Sequence, residues 1–270
     1  MTGRVLVVGG SDNTGAGGIQ GDVKVVAALG GDAAAVVTSL TVQDDEGFRS
    51  SVTVAPSLIR EQMEAALKRR DVDAVKVGLL ADPASVDAVA DALEAVPDVP
   101  LVLATAFRAW DGRDLADAQT IGHVKRRLAY RTAVLVATGP EAAALAGIGM
   151  AAEASRQHIA EMLLTIGAET VILTDENGPD DMVVDCIAGL EGDGGSFSFP
   201  RPRGVRVRGV CGALATAVAT FLARGSDRAT AIQQARLYVA GAVANASAAA
   251  GASASLNHAY AVVSEPFQRG

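Results

Sequence analysis

Two patterns alternate along the first two thirds of the chain. Residues 5–8, 34–38, 74–77, 101–104, 133–136 and 170–174 are short runs rich in Val, Leu, Ile and Ala, each of strand length. Between them lie the stretches 19–29, 57–70, 83–96, about 115–128, 139–146 and 152–166, which predict helices. In 57–70, Leu58, Met63, Ala66 and Leu67 fall on one helical face. The helix at 83–96 opens with Asp82 as cap and Pro83 in the first position. Strands that are apolar on both faces belong in a parallel sheet covered by helices on both sides. Past residue 180 the pattern changes. Residues 182–187 and 196–199 predict an antiparallel pair around a turn at 192–195. Two long helices, about 210–224 and 227–250, close the chain, and the tail after Gly251 carries weak signals. No linker, charge block or repeat interrupts 1–270, so one α/β domain is the simplest organisation. In such sheets ligands sit at the carboxyl ends of the strands, so the chemistry is sought just after each strand.

Composition narrows the partners. The chain has 270 residues, half of them hydrophobic and only 4% aromatic, so its core is built from Ala, Val, Leu and Ile. A net charge of −8 argues against nucleic acid as a partner, because phosphate backbones need a basic surface. It leaves room for a small anionic ligand in a local pocket. The one basic run, Arg201, Arg203, Arg206 and Arg208, reads as a solvated loop and strand edge. Two cysteines and three scattered histidines make neither a disulfide framework nor a structural zinc set. The first apolar run is too short for a leader or a membrane span, so a cytoplasmic protein with no membrane partner is expected.

The segment Gly9–Gly18 is glycine-rich and lies between the first strand and the first helix. No Gly-Lys-Ser/Thr follows, which excludes a Walker loop, and the G-x-G-x-x-G reading fails at Asp12. By itself the stretch is compatible with nothing more than a tight strand-to-helix turn.

Gly10-Ser11-Asp12-Asn13-Thr14-Gly15-Ala16-Gly17-Gly18-Ile19-Gln20-Gly21-Asp22-Val23-Lys24 resembles the opening signature of the hydroxymethylpyrimidine/phosphomethylpyrimidine kinases, thiamine-pathway members of the ribokinase-like superfamily. Four further stretches match in order: 37–43 ending in Gln43, 75–81 with Lys76 and Leu80, 139–145 with Pro140-Glu141, and Gly209 to Leu222 in the place of a glycine-rich anion-hole helix. The resemblance spans about 4–250. It implies a three-layer αβα sandwich of ribokinase type, a homodimer, and ATP with Mg²⁺ if the chain is active. It also implies a small-molecule pyrimidine ligand held by Gly10, Asp22, Gln43 and Leu80. An amide such as Gln43 offers a donor and an acceptor to a ring nitrogen and its amine, and Asp22 accepts from an amine or hydroxyl. Taken alone, Asp22 reads as a helix-surface carboxylate and Gln43 as a loop residue.

The phosphoryl-transfer half departs from the family. Relatives carry Gly-Thr-Gly-Cys or Gly-x-Gly-Asp at the start of the penultimate helix, the last residue being the general base. The chain has Gly209-Val210-Cys211-Gly212, so the base position is Gly212, which has no side chain. Cys211 is a possible substitute, or a small buried hydrophobe. The anion hole maps to Gly209, Val210, Cys211, Gly212 and Ala213, with the amides of the last three expected to face outward. Val102-Leu103-Ala104-Thr105 replaces a run containing an acid, Val136-Ala137-Thr138 a Thr-Pro-Asn, and Thr174-Asp175-Glu176-Asn177 a Lys-Gly-Gly-His. Carboxylates beside a triphosphate oppose the charge clamping that transfer needs. Glu141 matches the family glutamate that helps organise Mg²⁺, or it is a first-turn glutamate stabilised by the helix dipole. Asp44-Asp45 is either a solvated turn or a filter on ligand charge, and Trp110 either stacks on a ring or anchors packing. The leading expectation is a divergent family member with a pyrimidine pocket and impaired or absent transfer. A working kinase and a ligand-free interaction protein are the alternatives.

Overall fold

The computed structural model of the chain describes residues 2–68, 71–148, 154–174, 181–190, 194–202, 204, 206–246, 253–260 and 262. The first half runs β1 (Arg4–Asp12), α1 (Gly18–Ala28), β2 (Asp32–Gln43), β3 (Phe48–Thr53), α2 (Pro56–Leu67), β4 (Ala74–Val77), α3 (Pro83–Leu93) and β5 (Leu101–Ala104). The second half runs α4 (Ala118–Arg127), β6 (Thr132–Thr138), α5 (Gly139–Ala146), α6 (Arg156–Ile166), β7 (Thr170–Thr174), β8 (Met182–Gly189), β9 (Gly195–Pro200), β10 (Arg206–Arg208), α7 (Val210–Ala223), α8 (Arg228–Ala244) and β11 (Ser253–Ser255).

Nine strands form one sheet in the order β3-β2-β1-β4-β5-β6-β7-β8-β9. The six strands from β2 to β7 are parallel, and β3, β8 and β9 extend the edges in antiparallel fashion. Alternation along each strand divides the core. Leu6 and Val8 of β1 and Leu135 of β6 join Met63, Leu93, Leu145 and Leu163 on the α2–α6 side. Val5, Val7, Val134 and Val136 join Val25, Leu214 and Val239 on the α1/α7/α8 side. The α/β three-layer expectation is met, with helices on both faces of a mostly parallel sheet.

Three strands lie outside the sequence expectation. β3 is polar and largely exposed, so no apolar pattern announces it; it forms because β2 runs on to Gln43 and turns back at 44–47. There Asp44 Oδ1 accepts from the amides of Glu46 and Gly47, and Gly47 takes a φ of +147°. β10 and β11 are three residues each and pair in parallel away from the main sheet. Arg206 and Arg208 therefore lie on a strand of a small flap, and Arg208 is buried rather than solvated. Arg203 and residues 175–177 lie outside the described residues, as does the start of the predicted 152–166 helix. Among the described residues that helix begins after Ser155, whose hydroxyl accepts from the His158 amide. No helix among the described residues is long and apolar enough to cross a membrane.

Candidate active site

A cavity of about 350 Å³ opens at the carboxyl ends of β1, β2, β4, β5 and β6, closed below by the start of α7 and at the mouth by Trp110 and β10. Its first wall is the glycine-rich turn, and the sequence of that turn explains its shape. Asp12, the last residue of β1, is buried. One carboxylate oxygen accepts from the Thr14 amide at 2.9 Å and the Thr14 hydroxyl at 2.8 Å, the other from the Gly17 amide at 2.9 Å. The loop's own aspartate thus consumes the amides that a phosphate-cradling loop would offer. Gly18 has a φ of +58°, and a Cβ there would meet the Gly10 carbonyl at 2.5 Å. Gly10 is also dictated by packing: a Cβ would come within 2.8 Å of Ser39 Oγ and 3.0 Å of Leu79 Cδ2.

The floor is a buried ion pair. Lys76 is the one charged residue of β4, and the period of two sends it to the α1/α7 side of the sheet. Its Nζ donates to Asp22 Oδ2 at 2.7 Å, both side chains being 5% exposed or less. The Thr216 hydroxyl, from the second turn of α7, donates to the other Asp22 oxygen at 2.6 Å. Asp22 is therefore no surface carboxylate. It lines the cavity, with each of its oxygens already engaged. Gln43 sits at the end of β2; its backbone exchanges hydrogen bonds with the Asn13 side chain, and its Nε2 donates to Thr41 Oγ1 at 3.2 Å. Gly10, Asp22 and Gln43 all line the cavity. Leu80 does not: it packs in the core on the α2–α6 side, and its neighbour Leu79 takes the cavity position. Lys76 lay within a matched stretch without an assigned role. A lysine in an otherwise apolar central strand was the signal that could have found it.

The α7 end differs from expectation in three ways. Gly209 caps the helix with a φ of +83° and packs so tightly that a Cβ would lie 2.1 Å from the Ala16 carbonyl. Gly209, Cys211 and Gly212 line the cavity, whereas Val210 and Ala213 are buried in the α1/α7/α8 core. The Ala213 amide donates to the Gly209 carbonyl at 2.9 Å, so it does not face outward as an anion donor. Cys211 is buried, its Sγ 3.7 Å from the Val136 carbonyl. A Cβ on Gly212 would meet nothing within 4 Å. The family's base position therefore looks into open space without a side chain.

Glu141 is buried in the first turn of α5 and accepts four hydrogen bonds. Its Oε1 takes the amides of Phe107 (2.8 Å) and Arg108 (3.2 Å), and its Oε2 the hydroxyls of Thr138 (2.8 Å) and Thr105 (3.2 Å). Burial pushes its carboxyl above the usual range, against the pull of these donors. A carboxylate has about four acceptor sites, and the chain fills them. Glu141 thus clamps the loop after β5 to the start of α5. Both of its oxygens are thus engaged by the chain itself, and among the described residues no cluster of three His, Cys, Asp or Glu is placed to hold a metal ion.

At the mouth, Asp111 accepts from the amides of Phe48 and Arg113. Burial raises its carboxyl, but those amides and the Arg113 charge outweigh it and hold the group below the usual carboxylate range. Asp45 pairs with Arg208 at 3.0 Å and Asp44 with Arg49, so the acidic pair fastens the flap and the hairpin turn. Trp110 lines the cavity, with the Arg208 and Arg206 guanidiniums 5.3 and 6.0 Å from its ring centre.

A parallel sheet with a glycine-capped helix beneath its carboxyl edge, enclosing a small-molecule cavity, defines the ribokinase-like class of α/β proteins. The staphylococcal pyridoxal kinase, solved in complex with AMP-PCP and pyridoxal, superposes with a TM-score of 0.85 at 19% identity, over 96% of this chain and 94% of that one. The sequence profile described as phosphomethylpyrimidine kinase matches residues 12–257, and the chain belongs to that family. It is 28% identical over 244 residues to the hydroxymethylpyrimidine/phosphomethylpyrimidine kinase of Escherichia coli K12, covering 90% of this chain and 91% of the relative. It is 31% identical over 244 residues to a bifunctional thiamine biosynthesis protein of Geobacter sulfurreducens, covering 89% of this chain and 49% of the relative. The chain thus spans about half the length of that bifunctional relative.

Proposed function

We propose that this member of the phosphomethylpyrimidine kinase family holds a pyrimidine-type small molecule in the cavity at the carboxyl edge of the sheet, with ATP-dependent phosphoryl transfer impaired or absent. Kinship with thiamine-pathway kinases supports the ligand class. The polar groups at the cavity floor support it independently. Lys76 has three N–H donors and gives one to Asp22. Its remaining donors and the Gln43 amide can meet the acceptors of a planar heterocycle, with Asp22 holding Lys76 in place. A nucleotide-bound relative of the same fold makes ATP the natural phosphoryl donor for any residual activity.

The observation that carries the impaired half is the Cys211-Gly212 pair. One residue has a sulfur directed at the Val136 carbonyl within the core, and the next has no side chain where the family's base stands. A positioned general base contributes about 10²–10⁴-fold in rate. Glu141, saturated by its own loop, adds nothing to phosphate or metal binding as it stands. When bound, Mg²⁺ would supply charge neutralisation between phosphates; no residue described here is committed to it.

Calorimetric titration with hydroxymethylpyrimidine, its phosphate and ATP–Mg²⁺, each alone, tests the reading. Binding of a pyrimidine that is lost in Gln43→Ala, with turnover far below that of the Escherichia coli relative, is the expected result. Turnover equal to that relative establishes a working kinase. Absence of binding by all three removes the ligand pocket and leaves the interaction-protein alternative.

A further inference from the structure

Two buried hydrogen-bond donors without an acceptor among the described residues belong to residues that line the mouth of the cavity. Arg208 is 93% buried, its side chain 7% exposed. Its Nη1 donates to the Asp44 carbonyl at 3.3 Å and its Nη2 to Asp45 Oδ1 at 3.0 Å, while its buried Nε–H has no acceptor among the described residues. The indole N–H of Trp110 is likewise buried without an acceptor. Arg206, two positions back on β10, falls on the same strand face, lines the same cavity and lies against the Trp110 ring. Asp45 pairs with Arg208 here and Asp111 with Arg113, so Arg206 adds a positive charge that no carboxylate pairs with among the described residues. The next residue after Arg208 is the cap of α7, whose positive end opens onto the same space through Gly212.

A buried donor without an acceptor is costly, and native structures resolve it with a partner. The partner that fits two guanidiniums, an indole N–H and a helix N-terminus is an oxyanion. Arginine forks match the spacing of phosphate oxygens and bind them with charge-assisted hydrogen bonds. We propose that Arg206, Arg208 and Trp110 form an anion subsite at the cavity mouth that takes a phosphoryl-sized group carried by the bound ligand. The family motifs matched in this chain contain none of these three residues. The proposal deepens the pyrimidine reading, resting on it only for the ring portion of the ligand. A phosphomonoester on the ring ligand and the terminal phosphate of a nucleotide share the required chemistry.

Trp110 is the chain's only tryptophan, so its emission reports on this subsite directly. The experiment titrates the full chain with inorganic phosphate, hydroxymethylpyrimidine, its phosphomonoester and ATP, following Trp110 fluorescence, in wild type and Arg206→Gln. Arg206 is exposed and makes no buried ion pair, so its replacement leaves the fold intact. Calorimetry on Trp110→Phe, which keeps an aromatic ring but removes the N–H, gives a second measure. The expected result is a Kd for the phosphomonoester at least about tenfold below that of the alcohol. In Arg206→Gln that gap closes to within about twofold while the Kd of the alcohol is unchanged. A response to ATP that needs Arg206, without preference for the phosphomonoester, also supports the subsite and makes the nucleotide its source. Equal Kd values for alcohol and phosphomonoester with no Arg206-dependent response to ATP or phosphate overturn the subsite and leave the pyrimidine pocket standing. A tenfold preference that survives in Arg206→Gln overturns it too. If inorganic phosphate shifts Trp110 emission in an Arg206-dependent way while neither pyrimidine binds, the subsite stands and the pyrimidine reading falls.

Discussion

The two ends of the cavity are built from the same materials and differ in how firmly the fold holds them. At the floor, Asp22, Lys76 and Thr216 come from α1, β4 and α7 and form a closed set in which each group depends on the others. At the start of α7, one turn away, Cys211 is buried with its sulfur 3.7 Å from the Val136 carbonyl, and Gly212 leaves open space. The floor cannot lose a member cheaply, because an ion pair removed from water must stay complete. Position 212 carries no such constraint, so a side chain can be present or absent there without cost to the fold. Stability thus ties down the Asp22–Lys76 floor and is indifferent to what stands at position 212.

Removing one partner of the floor breaks this comparison most severely. Asp22→Ala strands a buried lysine charge and is expected to cost about 3–5 kcal/mol in urea unfolding. The double variant Asp22→Asn/Lys76→Met, which removes both charges, should recover most of that loss. If Asp22→Ala unfolds like wild type, the pair is not the constraint described.

The two glycines of the α7 start sharpen the contrast. Gly209→Ala forces a left-handed φ onto a Cβ that meets the Ala16 carbonyl, and a loss of roughly 1–3 kcal/mol is expected. Gly212→Ala meets nothing and restricts the unfolded chain, so a gain of about 0.4–1 kcal/mol is expected. Thermal unfolding of both variants should move the midpoint in opposite directions.

Glu141 lies between these extremes. Glu141→Ala leaves the Phe107 and Arg108 amides without an acceptor and should cost about 1–3 kcal/mol. Glu141→Gln should cost less, since its carbonyl can serve both amides while the threonine hydroxyls reverse. The pH response separates charge from shape. Burial raises the Glu141 carboxyl above its unfolded value of 4.5, so the native state keeps a proton that the unfolded chain has lost. That contribution to stability is present below pH 4.5 and is lost as pH rises through the folded value. The stability of wild type relative to Glu141→Gln should therefore fall over that interval, the other carboxylates being common to both proteins.

Most of the architecture was legible because the central strands are apolar on both faces and the helices between them carry caps and periodic faces. The elements that escaped are those whose reason to exist is tertiary. β3 is a polar edge held by the length of β2, and β10 and β11 are three-residue strands that pair only with each other. At the site, family motifs placed Gly10, Asp22 and Gln43 at the cavity, but the residue that claims Asp22 is 54 positions away. Leu79 and Leu80 are adjacent in sequence and face opposite ways, a distinction of backbone direction that composition does not carry. Glu141 matched a family position, yet its loop donors, 34 and 33 residues distant, decide what it does. Arg208 looked like a surface charge until the flap buried it.

The claim that the binding end is kept while the transfer end has lapsed rests on the order of two residues. The double variant Cys211→Gly/Gly212→Cys restores the family's Gly-Cys order and places a thiol in the open space at position 212. Initial rates of phosphoryl transfer from ATP–Mg²⁺ to hydroxymethylpyrimidine and to its phosphate, in wild type and this variant, test it most directly. The account predicts a rate in the variant about 10²–10⁴-fold above wild type, with pyrimidine affinity unchanged. A wild type that already turns over as fast as the variant would contradict it.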